Sequence, residues 1–244
     1  MNKNPSYSFS NNWFQNNIAK WSELIPLYQN KKTLYLEIGS YEGQSTFWMM
    51  NNVLRHPDSK AVSIDTFEGS MEHDSGTFST FMHNANVWQS SSAEKYIFIN
   101  SQSSITPVDR YKLTILQGSS LDIDTNYRVF SIQQQFESNF DIIYIDGSHR
   151  SPDVLSDAIF AFKLCKVGGI IIFDDYKWKA YKEDFNNPKQ GIDSFLKNYS
   201  NELEIIYSSY QIWVKKTTPK LTEYKKLAPP NPLIIKLKQI FRLS

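Results

Sequence analysis

Cysteine is nearly absent: Cys165 is the only one in 244 residues. No intrachain disulfide can form, which favours a reducing compartment. Long hydrophobic runs are also missing. The densest apolar stretch, Gly168 to Phe173, is far too short to span a bilayer, and the opening MNKNPSYSFSNNWF lacks the apolar core of a secretory signal. A cytoplasmic protein is therefore expected, with at most peripheral contact with the inner face of a membrane. An excess of one charge is lacking too, since 26 basic and 25 acidic residues leave +1. That balance argues against a domain surface devoted to nucleic acid. No internal repeat is visible.

What is present is a sizeable apolar content, 41% hydrophobic with 15% aromatic residues. This is enough to bury a core, and it excludes a disordered, fibrous or disulfide-stapled chain. Five short runs read as strands: Leu34–Ile38, Ala61–Ile64, Lys112–Leu116, Asp141–Ile145 and Gly169–Phe173. They are nearly continuous, rich in β-branched residues and bounded by Gly, Asp or Asn, as strands buried on both faces are. Helical patterns lie between them, at Ser45–Leu54 and Ser151–Lys166. The second has Pro152 in its first turn, Lys163 and Lys166 at its end, and Gly168-Gly169 to terminate it. Residues 9–29 predict an N-terminal helix, and Leu203–Tyr207 with Gln211–Val214 predicts a hairpin around Ser208-Ser209. The expected fold is α/β: a Rossmann-like, doubly wound, seven-stranded and mostly parallel sheet, with helices on both faces and a terminal antiparallel hairpin strand.

Two groups of residues carry chemistry. The first follows the first strand, Leu36-Glu37-Ile38-Gly39-Ser40-Tyr41-Glu42-Gly43-Gln44-Ser45. Gly39 and Gly43 allow a sharp turn and a close ligand, and the helix that follows offers free amides. The turn is not G-x-G-x-x-G and has no P-loop lysine, which disfavours a dinucleotide or a cradled triphosphate. Glu37 suits a cationic amino group, and Asp65, ending the second strand, suits ribose hydroxyls. A tight turn with two surface acids stays open. The second group is Asp146-Gly147-Ser148-His149, after the fourth strand, with Asp174-Asp175-Tyr176 after the fifth. On neighbouring strands these three carboxylates share one crevice, repel one another, and call for a hard divalent cation such as Mg2+. Acids that merely cap helices and solvate loops remain the plainer alternative.

The turn resembles motif I of class I S-adenosylmethionine-dependent methyltransferases, of the catechol O-methyltransferase-like branch. There an E-[IL]-G-x-x-x-G-x-S turn holds the methionine part of the cofactor. The resemblance covers about residues 33–215. It implies cofactor contacts at Glu37, Gly39, Ser40, Tyr41, Gly43, Ser45, Asp65, Thr66 and Asp146. Ser119, Ser120 and Leu121, after the third strand, would line the adenine. It further implies that Asp146, Asp174 and Asp175 bind the metal. The segment D-G-S-H…V-G-G-I-I-I-F-D-D-Y is similar to sugar O-methyltransferases of the macrolide-tailoring, macrocin type. Those enzymes place a proposed general base where this chain has His149.

Residues 66–105 hold many Ser, Asn, Gly and His and read as a partly helical lid or substrate loop. In it Phe67, Phe78, Phe81 and Trp88 suit an apolar cover, and Glu72 and His73, with Tyr176 beyond the acid pair, are candidate substrate contacts. The segment is similar to a D-T-[WF]-x-G-D-x-H-x-G-x-[YF] insert of the sugar-type relatives, interrupted here by Ser70 and Met71. After one domain of residues 1–216, residues 217–244 form a Pro-containing linker and a basic tail. Eight basic residues against Glu223 alone give +7 over residues 215–244, leaving −6 on residues 1–214. Residues 233–243 read as a short basic amphipathic helix, suited to an anionic membrane, a partner, its own domain or a second subunit of a homo-oligomer.

Together these features imply an O-methyltransferase that uses S-adenosylmethionine and a divalent metal, with the hydroxyl of a sugar or glycosylated small molecule as acceptor. A metal-independent N- or C-methyltransferase on the same fold, and a non-catalytic cofactor-binding module at a membrane, stay open.

Overall fold

A computed structural model describes residues 6–68, 76–104 and 106–218. Glu72, His73, Ser70, Met71 and the 233–243 segment lie outside these residues.

Along the chain the elements are α1 (Ile18–Trp21), α2 (Ile25–Tyr28), β1 (Leu34–Ile38), α3 (Gln44–Asn52), β2 (Lys60–Asp65), α4 (Thr77–Ser92), β3 (Tyr96–Ile99), β4 (Leu113–Gln117), α5 (Ile123–Phe136), β5 (Phe140–Ile145), α6 (Ser151–Leu164), β6 (Cys165–Phe173), α7 (Pro188–Asn198), β7 (Leu203–Ser208) and β8 (Ile212–Lys216). The strands form one sheet in the order β3-β4-β2-β1-β5-β6-β8-β7. Its first six members are parallel, and β8 runs antiparallel to both β6 and β7. Every residue of β1 and of β5 is buried, as strands covered on both faces must be. One face packs against α5, α6 and α7 through residues such as Val129, Ala158 and Ile192. The other packs against the N-terminal turns, α3 and α4 through Trp21, Phe47 and Phe81.

The chain order reverses between β1 and β5. From β1 it proceeds to β2, β3 and β4 on one side, and β5 to β8 lie on the other. The carboxyl ends of two such strands splay their loops apart and leave a crevice. Asp146, which follows β5, and Asp174, which follows the neighbouring β6, both open onto it.

Four expectations are corrected in detail. Among the described residues the sheet has eight strands, because Tyr96–Ile99 adds a short parallel edge strand to β4. This strand and α4 occupy most of the segment read as a lid, so residues 77–99 are scaffold. α4 hides its apolar stripe of Phe81, Ala85 and Trp88 among polar residues, and its buried Asn84 is satisfied by the Ser8 backbone and the Glu42 carbonyl. The N-terminal segment is a succession of short α and 3-10 turns from Trp13 to Tyr28 rather than one helix. Finally, α6 ends at Leu164 and β6 begins at once. Gly168-Gly169 lies inside that strand, at the irregularity where its pairing with β5 shifts register. The hairpin forms as expected. No described helix is long and apolar enough to cross a membrane.

Candidate functional site

The crevice is a cavity of about 1180 Å3. The turn after β1 brings Gly39, Ser40, Tyr41 and Ser45 to its wall, with Asp65 and Thr66 beyond β2 and Ser119, Ser120 and Leu121 beyond β4. Gly39 is required there by space and by backbone. Its φ is +84°, and a Cβ would lie 2.0 Å from the Asp146 carbonyl oxygen. Asp65 shapes the same turn: its Oδ2 accepts from the amides of Ser40 and Tyr41, both at 2.8 Å, and its Oδ1 accepts from Phe67 N–H at 2.7 Å. The amides thereby fix the carboxylate and hold Tyr41 in a left-handed conformation, φ +48°.

Two expected cofactor contacts stand elsewhere. Glu37 is fully buried beneath the turn and accepts from the hydroxyls of Ser45 and Thr46 on α3. The alternation of β1 explains this, because Glu37 shares a face with Tyr35, the face that α3 covers. Burial lifts its carboxyl to about 7, and the hydroxyl donors offset only part of that rise. Gly43, φ +83°, faces the rings of Phe47 and Phe81 rather than the cavity; it closes the turn, its N–H donating to the Ser40 carbonyl at 2.7 Å.

Beside this turn, on the loops after β5 and β6, the acids converge in a pattern the sequence did not specify. Oxygens of Asp146 and Asp175 and a ring nitrogen of His149 all lie within 4.8 Å of one another. His149 Nε2 is 2.9 Å from Asp175 Oδ2, and its ring packs on Trp178 with centroids 4.6 Å apart. Asp174 lines the same cavity but is engaged differently. Its Oδ2 accepts from the Tyr144 hydroxyl and from Gln211 Nε2 at 3.2 Å. The Tyr144 hydroxyl also meets Asp146 Oδ2 at 2.9 Å, so one buried phenol bridges two carboxylates. Burial, then the charges of Asp174 and Asp175, holds the Asp146 carboxyl well above its ordinary value, and burial with Asp175 raises that of Asp174. Tyr176 does not join them. Its ring packs toward the α6–α7 face and its hydroxyl donates to Asp193 Oδ1 at 2.9 Å.

Several cavity residues carried no motif. Trp13, Asn16, Asn17 and Lys20 come from the N-terminal turns, Trp178 and Tyr181 from the loop after β6, and Tyr207, Tyr210 and Gln211 from the hairpin. Trp13 stacks on Tyr41, and Tyr181 meets the edge of Trp178. Tyr144, which bridges the acids, did have a sequence signal: a phenol in a buried strand, two residues before Asp146 on the same face.

A family model described as a methyltransferase domain matches residues 36–176. Uncharacterized protein R132 of Acanthamoeba polyphaga mimivirus is 27% identical over 130 residues, 52% of this chain and 55% of that protein. The chain thus spans about half the length of this curated relative. Among solved structures, the MycE methyltransferase of the mycinamycin biosynthetic pathway, in complex with Mg and SAH, superposes with a TM-score of 0.53 at 15% identity. That likeness covers 96% of this chain and 57% of MycE. A putative O-methyltransferase from Klebsiella pneumoniae gives a TM-score of 0.55 at 14% identity, over 86% of this chain and 84% of the other. At such identities the likeness is one of fold.

Proposed function

The chain belongs to the methyltransferase-domain family, and from that premise we propose that it transfers a methyl group from S-adenosylmethionine to a hydroxyl of a saccharide or glycosylated small molecule, with a divalent cation assisting. The observation that carries this reading is a single cavity lined by two chemistries: the glycine turn with Asp65, and the Asp146–His149–Asp175 cluster beside it.

The residues present fit both groups. We assign Ser40, Tyr41, Asp65 and Thr66, which line the cavity, to the methionine and ribose parts of the cofactor, and Ser119, Ser120 and Leu121 to the adenine. The cofactor supplies an electrophilic sulfonium methyl. A hard cation would supply the positive charge that half-buried, mutually repelling carboxylates lack, and would favour ionisation of a hydroxyl. We assign Asp146 and Asp175 as its carboxylates. MycE, which shares the fold, was crystallised with Mg and SAH, which supports this assignment. His149 takes the acceptor proton: with Nε2 donating to Asp175, Nδ1 is the nitrogen that accepts it. The chain's main contribution is alignment of the hydroxyl with the methyl group. Ring faces of Trp13, Trp178, Tyr181 and Tyr210, with the amides of Asn16 and Asn17, support a sugar acceptor, since aromatic rings stack on the C–H faces of sugars.

Calorimetric titration with S-adenosylhomocysteine is expected to show one site, and absence of binding would overturn the reading. With a panel of saccharide acceptors, transfer should require Mg2+ and fall by roughly 100-fold or more in Asp175→Asn. Turnover undiminished by a chelator and by that variant would point instead to a metal-independent N- or C-methyltransferase.

A further inference from the structure

The turn of the terminal hairpin reaches the acid pair directly. Ile212 of β8 pairs with Phe173 of β6, so the residues just before β8 arrive beside those just after β6. Two side-chain contacts result. The Tyr210 hydroxyl donates to Asp175 Oδ1 at 3.0 Å, and Gln211 Nε2 donates to Asp174 Oδ2 at 3.2 Å. The backbone closes the same junction, the Tyr176 N–H donating to the Tyr210 carbonyl at 2.9 Å.

The amide of Gln211 has only one workable orientation. The indole N–H groups of Trp21 and Trp213 both donate to its Oε1, at 3.0 and 3.1 Å. An indole can only donate, so the amide oxygen must face the two rings and the NH2 must face Asp174. Trp21, Gln211 and Trp213 are all at most 3% exposed, so water does not compete. Flipping the amide would leave two buried donors without an acceptor.

Such control is needed at this place. Asp174 and Asp175 are adjacent carboxylates facing a third, and repulsion alone would turn them apart. Asp175 also holds a left-handed backbone, φ +59°, which an L residue keeps only where its surroundings impose it. We propose that Tyr210 and Gln211 are positioning residues: they fix the side chains of Asp175 and Asp174, so that Asp175 Oδ2 faces His149 and Asp146. The consequence for a cation rests on the metal-assisted reading above; the geometric part does not. The clamp also makes the N-terminal turns, through Trp21, part of the active site.

Two full-length variants test this. Tyr210→Phe removes one hydroxyl from a partly exposed ring. Gln211→Glu keeps an acceptor for both indoles but replaces the donor facing Asp174 with an oxygen. Mn2+ affinity, measured by electron paramagnetic resonance without cofactor or acceptor, is expected to fall roughly 10- to 100-fold in both. S-adenosylhomocysteine affinity should stay within about twofold, because neither Tyr210 nor Gln211 is among the residues assigned to the cofactor. In metal-free Tyr210→Phe the His149 ring-proton resonance should shift, since Asp175 has lost a tether. Wild-type Mn2+ affinity and an unshifted His149 resonance in these variants would overturn the proposal. If the wild-type protein itself binds no Mn2+, the metal-assisted reading fails, and the His149 resonance alone decides the positioning role.

Discussion

Glu37 illustrates how a residue that suits a ligand can serve the scaffold. Its carboxyl is buried between β1 and α3, shares its partners with the start of that helix, and is lifted from 4.5 to about 7 by burial. A carboxyl raised in the folded state stabilises the fold below its unfolded pKa and withdraws that stability as pH rises through its folded value. Between about pH 4.5 and 7 the protein should therefore lose on the order of 3 kcal/mol from this group. Glu37→Gln removes the titration while leaving an amide oxygen for the hydroxyls. Thermal unfolding from pH 4.5 to 8 should show a decline in the wild-type protein that is shallower in the variant by this group's share, the raised carboxyls of Asp146 and Asp174 keeping theirs. Parallel curves would show that Glu37 does not titrate in this window.

At the scale of elements, the turn between β1 and α3 is set by the neighbouring turn after β5. Gly39 and Gly168 both have a left-handed backbone, at φ +84° and +86°, but only Gly39 has backbone within reach of an added Cβ. Gly168→Ala should cost about 1–2 kcal/mol, the conformational penalty alone. Gly39→Ala adds a steric clash with the Asp146 carbonyl and should cost about 4 kcal/mol or more, with loss of S-adenosylhomocysteine binding. Urea unfolding of the two variants gives the comparison, and equal losses would refute the close approach. The β7–β8 hairpin behaves similarly. It was legible as a hairpin from its two apolar runs, yet its turn delivers Tyr210 and Gln211 to acids that lie far from it in sequence.

At the scale of the whole molecule, the N-terminal turns cover one face of the sheet and wall one side of the cavity. Phe14, Trp21 and Leu24 are buried there, and Trp21 meets Trp48, Tyr144 and Trp213. At about 1.5–3 kcal/mol for each large buried side chain, these three contribute roughly 5–9 kcal/mol. That is comparable to the whole stability of a typical domain. A chain beginning at Gln29 should therefore fail to fold cooperatively and should bind a hydrophobic dye at 25 °C. A cooperative melt near the wild-type temperature would show that the segment is dispensable.

The buried runs Leu34–Ile38, Asp141–Ile145 and Gly169–Phe173 determined the parallel core by themselves, because a strand covered on both faces must be apolar at nearly every position. The acids at their ends and the glycine turn were equally legible, since those positions tolerate polar and left-handed residues for local reasons. Tertiary structure decided what lay between them. The β3 edge strand escaped notice because four residues carry little periodicity, and α4 because its polar positions bond to distant backbone. Which oxygens converge was decided by pairing. β5 lies beside β6, β8 lies beside β6, and the Trp21 indole reaches Gln211 from the opposite end of the chain. Strand adjacency and side-chain hydrogen bonds across 190 residues leave no local trace in composition or spacing. The sequence alone therefore supplied the carboxylates, and only the folded sheet assigned Asp174 to Tyr144 and Gln211 and placed Asp175 with Asp146 and His149.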